Sequence, residues 1–159
     1  MFINSLVLLS QGIPFIHAGQ EFLRTKHGEH NSYQSSDAIN MFRWLEKDKE
    51  QQSVEYMKDL IWLRLEYAEF RLATKELIEE HIHVYTLDQG VIVYNLRAID
   101  PSCGYSSITV YFNPNLEPYL LFLDDEKEVV FDHQGKVRDR IKKQEVIIEP
   151  LAVICLRQD

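Results

Sequence analysis

From His81 onwards the apolar residues of this chain gather into short runs: "HIHVYTL", "VIVYNLRA", "SSITVYFN", "YLLFL", "EVVF", "EVIIE" and "LAVICLR". The runs are rich in Val, Ile, Tyr and Phe, which fit a pleated and half-buried surface. Turn signals separate them. "LDQGV" and "FDHQGKV" read as hairpin turns, each with a glycine where positive φ is needed. Strands this short, at this regular spacing, predict an antiparallel β-sandwich or barrel.

Upstream the period is helical. Phe2, Ile3, Leu6, Val7 and Leu9 make an apolar face at helical spacing, ended by Gln11 and Gly12. "IPFIHA", bounded by Gly12 and Gly19, reads as a strand buried on both faces, as in a parallel sheet. From Glu21 to Lys47 the chain is polar and without steady period, a long loop of the kind that usually serves function. "SVEYMKDLIWLRLEY", residues 53–67, predicts a helix capped by Ser53, with Val54, Met57, Leu60, Ile61 and Leu65 on one face. The change of period falls between Thr74 and Glu80. It divides the chain into a helical part, 1–73, and a β-rich part, 74–159.

Net charge is -8, and most of the acidic excess lies in the second part. That balance excludes a nucleic-acid backbone as partner, which would need clustered Lys and Arg. Lys136, Arg138, Arg140, Lys142 and Lys143 do gather, but Asp132, Asp139 and Glu145 are interleaved, so a solvated strand or turn is expected. Cys103 and Cys155 are too few for a disulfide framework. "MFINSLVLLS" has no positive charge and no cleavage site, and it is too short to span a bilayer. A cytoplasmic setting without a membrane partner is the expectation, provided that Met1 is the natural start.

Local chemistry is sparse. His17, Glu21, His27, Glu29 and His30 are dense, but "HAGQE" and "KHGEH" match no zinc motif, so no metal or other cofactor is expected. Serines occur without a nucleophile elbow, and the glycines are too dispersed for a phosphate loop. Glycoside hydrolysis needs two carboxylates about 5 Å apart for retention, and wider for inversion. Glu21, Glu29 and Asp37 are the available acids, and nothing around them marks a catalytic pair.

"SQGIPFIHAGQEFLRTKHGEHNSYQSSDAINMFRW" resembles the pullulanase branch of the alpha-amylase clan of glycoside hydrolases. "YMKDLIWLRLEYAEFRL" is similar to the last barrel helix of those enzymes and its "LRxxxPAFRL" tail, with Glu69 where Pro is expected. The resemblance implies an α+β fragment: the last strand–helix unit of a (β/α)8 barrel followed by an antiparallel β-sandwich. Residues 2–10 would end the seventh barrel helix, and Ile13 to Ala18 would be the eighth strand. Gly19 and Glu21 would form the root of a loop whose residues Arg24, Asn31, Tyr33, Asp37 and Asn40 match the family pattern and contact a branched α-glucan. For Asn31 and Asn40, bonding within the loop is an equally open role; for Asp37 and Arg24 substrate contact is the favoured one.

Two departures stand out: Arg43 where an aspartate is expected, and Met41 where a polar residue is common. The family's nucleophilic aspartate, acid glutamate and stabilising aspartate lie on the fourth, fifth and seventh strands, which would precede residue 1. The implied function is the C-terminal portion of a pullulanase-like hydrolase of α-1,6 branch linkages in pullulan, starch or glycogen. It would be inactive without the N-terminal barrel portion as partner. The alternative is a noncatalytic carbohydrate-binding or interface module, which exposed coplanar aromatics among Tyr105, Tyr111 and Tyr119 would favour.

Overall fold

The β-rich part forms strands where Val, Ile and aromatic residues alternate with polar ones. A computed structural model describes residues 1–159, the side chain of Pro101 apart. The strands are β1 (Ile82–Thr86), β2 (Ile92–Arg97), β3 (Ser107–Asn113), β4 (Tyr119–Asp132), β5 (Gly135–Ile148) and β6 (Ala152–Gln158). "YLLFL" and "EVVF" prove to be one strand, β4, and the basic stretch lies on the exposed part of β5. Both predicted glycine turns are present, with Gly90 at φ 74° and Gly135 at φ 112°.

The strands make one antiparallel sheet, ordered β1-β2-β3-β6-β4-β5, rather than the two separate sheets of a sandwich. The long β4–β5 hairpin explains the difference. Near its turn, Glu128, Val129 and Phe131 pair with Arg157, Leu156 and Cys155 of β6. Its other half carries Leu121, Leu123, Val146 and Ile148 over Val93, Tyr111 and Ile154, closing a core on one face of the sheet. One sheet thus encloses a core by bending.

The opposite face is covered by helices. Of the helices α1 (Phe2–Leu9), α2 (Asp37–Asn40), α3 (Trp44–Lys49), α4 (Gln51–Glu66) and α5 (Lys75–His81), it is α1 and α4 that supply the buried cover. Leu8 and Leu9 of α1, and Tyr56, Met57, Leu60 and Leu63 of α4, pack on Leu96, Ile108, Val110, Phe131 and Cys155. Both helices are turned from their predicted faces: Ile3 is 71% exposed, Ile61 41% and Leu65 61%, while Arg64 is buried. Ser53 does not cap α4; it lies inside the helix, which begins at Gln51. Among the described residues no helix is long and apolar enough to cross a membrane.

The predicted strand Ile13 to Ala18 is absent. The segment has no regular secondary structure, and Ile13 and Phe15 are 97% and 89% exposed. A parallel strand needs a neighbour on each edge to pair its backbone groups, and no strand of this sheet lies beside it.

Candidate functional site: the segment 11–44

Arg64 fixes the root of this segment. It is 7% exposed, and its guanidinium donates to the carbonyls of Leu8 (2.6 Å), Ser10 (2.8 Å) and Gly12 (2.6 Å). The C-terminal carbonyls of a helix have no partner within it, and a rigid fork of donors suits several at once. Gln11 adds a second tether. Its Nε2 donates to the Glu69 carbonyl (2.7 Å) and the Tyr94 hydroxyl (3.1 Å), and its Oε1 accepts from the Leu72 amide (3.0 Å).

Gly19 turns the chain at φ 91°, and a Cβ there would lie 2.7 Å from Arg24 Cδ. Only glycine permits both that turn and that approach. Glu21, expected to anchor the loop root, makes no side-chain hydrogen bond among the described residues. Its neighbour Gln20 does so instead, accepting from the His17 amide (3.1 Å) and donating to Asn4 of α1.

The five residues expected to contact substrate fall into two groups. Arg24 donates to the carbonyls of Ala18 (3.3 Å) and Asn40, and its guanidinium carbon lies 4.0 Å from the centre of the Phe42 ring. Phe42 in turn stacks on Trp44, with centroids 5.4 Å apart and planes at 18°. Asn40 donates to the carbonyls of Ser32 (2.7 Å) and Ser35 (2.8 Å) and accepts from Lys26. Arg24 and Asn40 therefore hold the loop together. Asn31, Tyr33 and Asp37 are exposed, and their side chains make no hydrogen bond among the described residues. Asp37 begins the short helix α2.

Arg43 is turned to the Ala38 carbonyl (3.4 Å) and lies 3.8 Å from Glu46. A cleft of about 660 Å³ opens between α1 and the loop root, lined by Ile3, Asn4, His17, Gln20, Leu23 and Arg24 among others. No group of three or more His, Cys, Asp or Glu side chains converges among the described residues. Arg64, Gln11 and Lys26 were not foreseen as organisers of this segment. The signal for Arg64 was a lone cation between the apolar residues Leu63 and Leu65 of a helix, and its carbonyl partners lie more than fifty positions away.

The aromatics Tyr105, Tyr111 and Tyr119 form no exposed platform. Tyr111 is buried, Tyr119 packs against the core closed by the hairpin, and Tyr105 donates to Glu69 (2.9 Å).

No protein-family model matches the chain. A pullulanase of Bacillus subtilis (strain 168) is 39% identical over 130 residues, which are 76% of this chain and 18% of that protein. The crystal structure of pullulanase type I from Bacillus subtilis str. 168 complexed with maltose superposes with a TM-score of 0.89 at 32% identity, over 99% of this chain and 22% of that one. Pullulanase from Anoxybacillus sp. LM18-11 complexed with maltotetraose gives a TM-score of 0.86 at 34% identity, over 99% and 23%. The chain thus spans about a fifth of the length of these relatives. By sequence and by fold together, it belongs to the pullulanase family and is consistent with a C-terminal part of such a protein.

Proposed function

We propose that this chain is the C-terminal portion of a glycoside hydrolase that cleaves α-1,6 branch linkages in pullulan, starch or glycogen. Residues 1–73 end its (β/α)8 barrel and residues 74–159 form its C-terminal β domain. The segment 24–40 walls the groove in which the glucan lies. The catalytic aspartates and glutamate belong to the preceding barrel portion, which is also the partner that pairs Ile13 to Ala18 as a strand.

One observation carries this reading: a loop braced from within by Arg24 and Asn40 leaves Asn31, Tyr33 and Asp37 exposed and unengaged. Rigid display is what a sugar-binding wall needs. A carboxylate and an amide suit vicinal hydroxyls, and a tyrosine offers an apolar face with a polar tip. The relatives solved with maltose and maltotetraose agree with such a groove.

Release of reducing ends from pullulan tests the proposal. The chain alone is expected to release none. Joined to the barrel portion of a pullulanase it is expected to support hydrolysis, and there Asp37→Ala and Tyr33→Ala raise KM by about tenfold, with kcat less affected. Hydrolysis by the chain alone, or unchanged KM in both variants, would refute it.

A further inference from the structure

A pocket of about 330 Å³ lies on the hairpin-covered face of the sheet and shares no lining residue with the 24–40 loop. Tyr85 and Tyr111 stand on one row, both in register with Val93 of the strand between them. Gln158 belongs to the same face: Tyr111 pairs with Ile154, and side chains alternate along β6. The fourth side is irregular. Pairing between β4 and β5 breaks between Phe122 and Lys127, and such breaks re-aim side chains. Asp124 and Lys127 line the pocket there, and Phe122, 69% exposed, stands at its rim.

The Tyr111 hydroxyl is the telling group. The residue is only 6% exposed, and its hydroxyl, unpaired by any protein group among the described residues, is not among the buried polar atoms that lack a partner: it opens to the pocket. Burial, with the nearby Tyr85 and Asp124, pushes its pKa up to about 12, so it remains a donor at any ordinary pH. Water reaches this hydroxyl in the free chain, and a ligand hydroxyl in the pocket would take that water's place. Two apolar ring faces, a phenolic donor, the carboxylates of Asp124 and Asp125, an ammonium and an amide make a set for a neutral, hydroxyl-rich ring. An anion would meet the Asp124 carboxylate, and no three metal-ligating groups converge among the described residues. The volume is at the low end of ligand pockets, about 300–1,000 Å³, and suits a small saccharide.

We propose that this pocket is a second, noncatalytic site for a pyranose unit, with Tyr85 and Phe122 against its ring faces and Tyr111, Asp124, Lys127 and Gln158 on its hydroxyls. That the ring is a glucose of an α-glucan rests on the function proposed above; that it is a pyranose does not.

Titration of the full chain with maltose and with cellobiose, followed by amide NMR shifts, tests both statements. Saturable shifts with maltose at Tyr85, Tyr111 and Asp124 are expected. Tyr111→Phe, which keeps the ring and removes only the unpaired hydroxyl, and Phe122→Ala should each weaken binding by about tenfold. The melting temperature of Tyr111→Phe should not fall, so that lost binding is separated from lost fold. Equal binding of cellobiose, with the same loss in both variants, would support the pyranose site and count against the α-glucan assignment. Shifts confined to residues 24–40, affinity unchanged in both variants, or no binding of either sugar would overturn the site.

Discussion

Glu69 stands where the family tail leads one to expect proline, and it is 2% exposed. A buried carboxylate is tolerated only when its oxygens find donors. Here Oε1 accepts from the Ile99 amide (3.1 Å) and Oε2 from the Tyr105 hydroxyl (2.9 Å). Burial and the Glu69 carboxylate together raise the Tyr105 pKa. Tyr105→Phe would leave one oxygen of Glu69 without its donor, and a loss of about 1–3 kcal/mol is expected in urea unfolding. An unchanged midpoint would show that Glu69 gains nothing from Tyr105. None of this was legible in sequence, because the two residues are 36 positions apart.

The same residue-scale argument fixes the response to alkali. Burial raises Tyr56, Tyr67 and Tyr111 from 10.0 to about 12. At Tyr56 a hydrogen bond with Ser5 (3.0 Å) works against the rise. Between these values the unfolded chain has lost protons that the folded chain keeps, so the slope of stability with pH is negative. Stability is expected to be intact below pH 10 and to fall as pH rises towards about 12. Urea midpoints across that range check it; a flat profile would contradict it.

Among the elements, the strands beyond residue 80 were the most legible, because a period of two and glycine turns are local signals. The bending of β4–β5 was not legible, since it depends on Leu121 and Ile148 meeting Val93 and Tyr111 across the fold. The helix at 51–66 was foreseen, but its face was turned by Arg64, a residue that pattern reasoning assigns to solvent. The segment 13–18 is unpaired, as its sequence leads one to expect of such a strand without neighbours on its edges. Its composition is that of a buried strand, but a strand is a property of its neighbours as well as of its residues.

Arg64 is consequently the element-scale test. Arg64→Met keeps much of the side chain's bulk and removes donors to three carbonyls. Bonds from a charged donor contribute about 1.5–3 kcal/mol each, so a loss of at least about 2 kcal/mol is expected. In the unaltered chain, amides 13–18 should exchange with solvent far faster than those of β3 and β6. The variant should extend that fast exchange back through Ser10. Full protection of amides 13–18 in a monomer would contradict the unpaired segment described here.

For the whole molecule, the question is where the chain can be divided. The change of period at residues 74–80 invites a cut there, but the core does not respect it. Val110, Phe112, Phe131, Val153 and Cys155, all at or below 3% exposure, are covered by Tyr56, Leu60, Leu63 and Phe70, which precede any such cut. The hairpin also grips α4: Asp59 accepts from the Lys136 amide (3.0 Å), and the Lys136 ammonium sits 3.4 Å from the centre of the Trp62 ring. Removing residues 1–73 would expose one whole face of the sheet, and each large apolar side chain returned to water costs about 1.5–3 kcal/mol. For the five named here that comes to about 8–15 kcal/mol, as large as the 5–15 kcal/mol by which ordinary domains are stable. Removing only residues 1–50 forfeits Leu8 and Leu9 but keeps α4 on the sheet. A shortened chain beginning at Gln51 should therefore unfold cooperatively, whereas one beginning at Thr74 should show no cooperative transition and should expose apolar surface to a hydrophobic dye. Cooperative unfolding of the chain from Thr74, with a stability matching that of the chain from Gln51, would mean that the sheet closes its core without the helix, and that α4 serves the segment it tethers more than the fold.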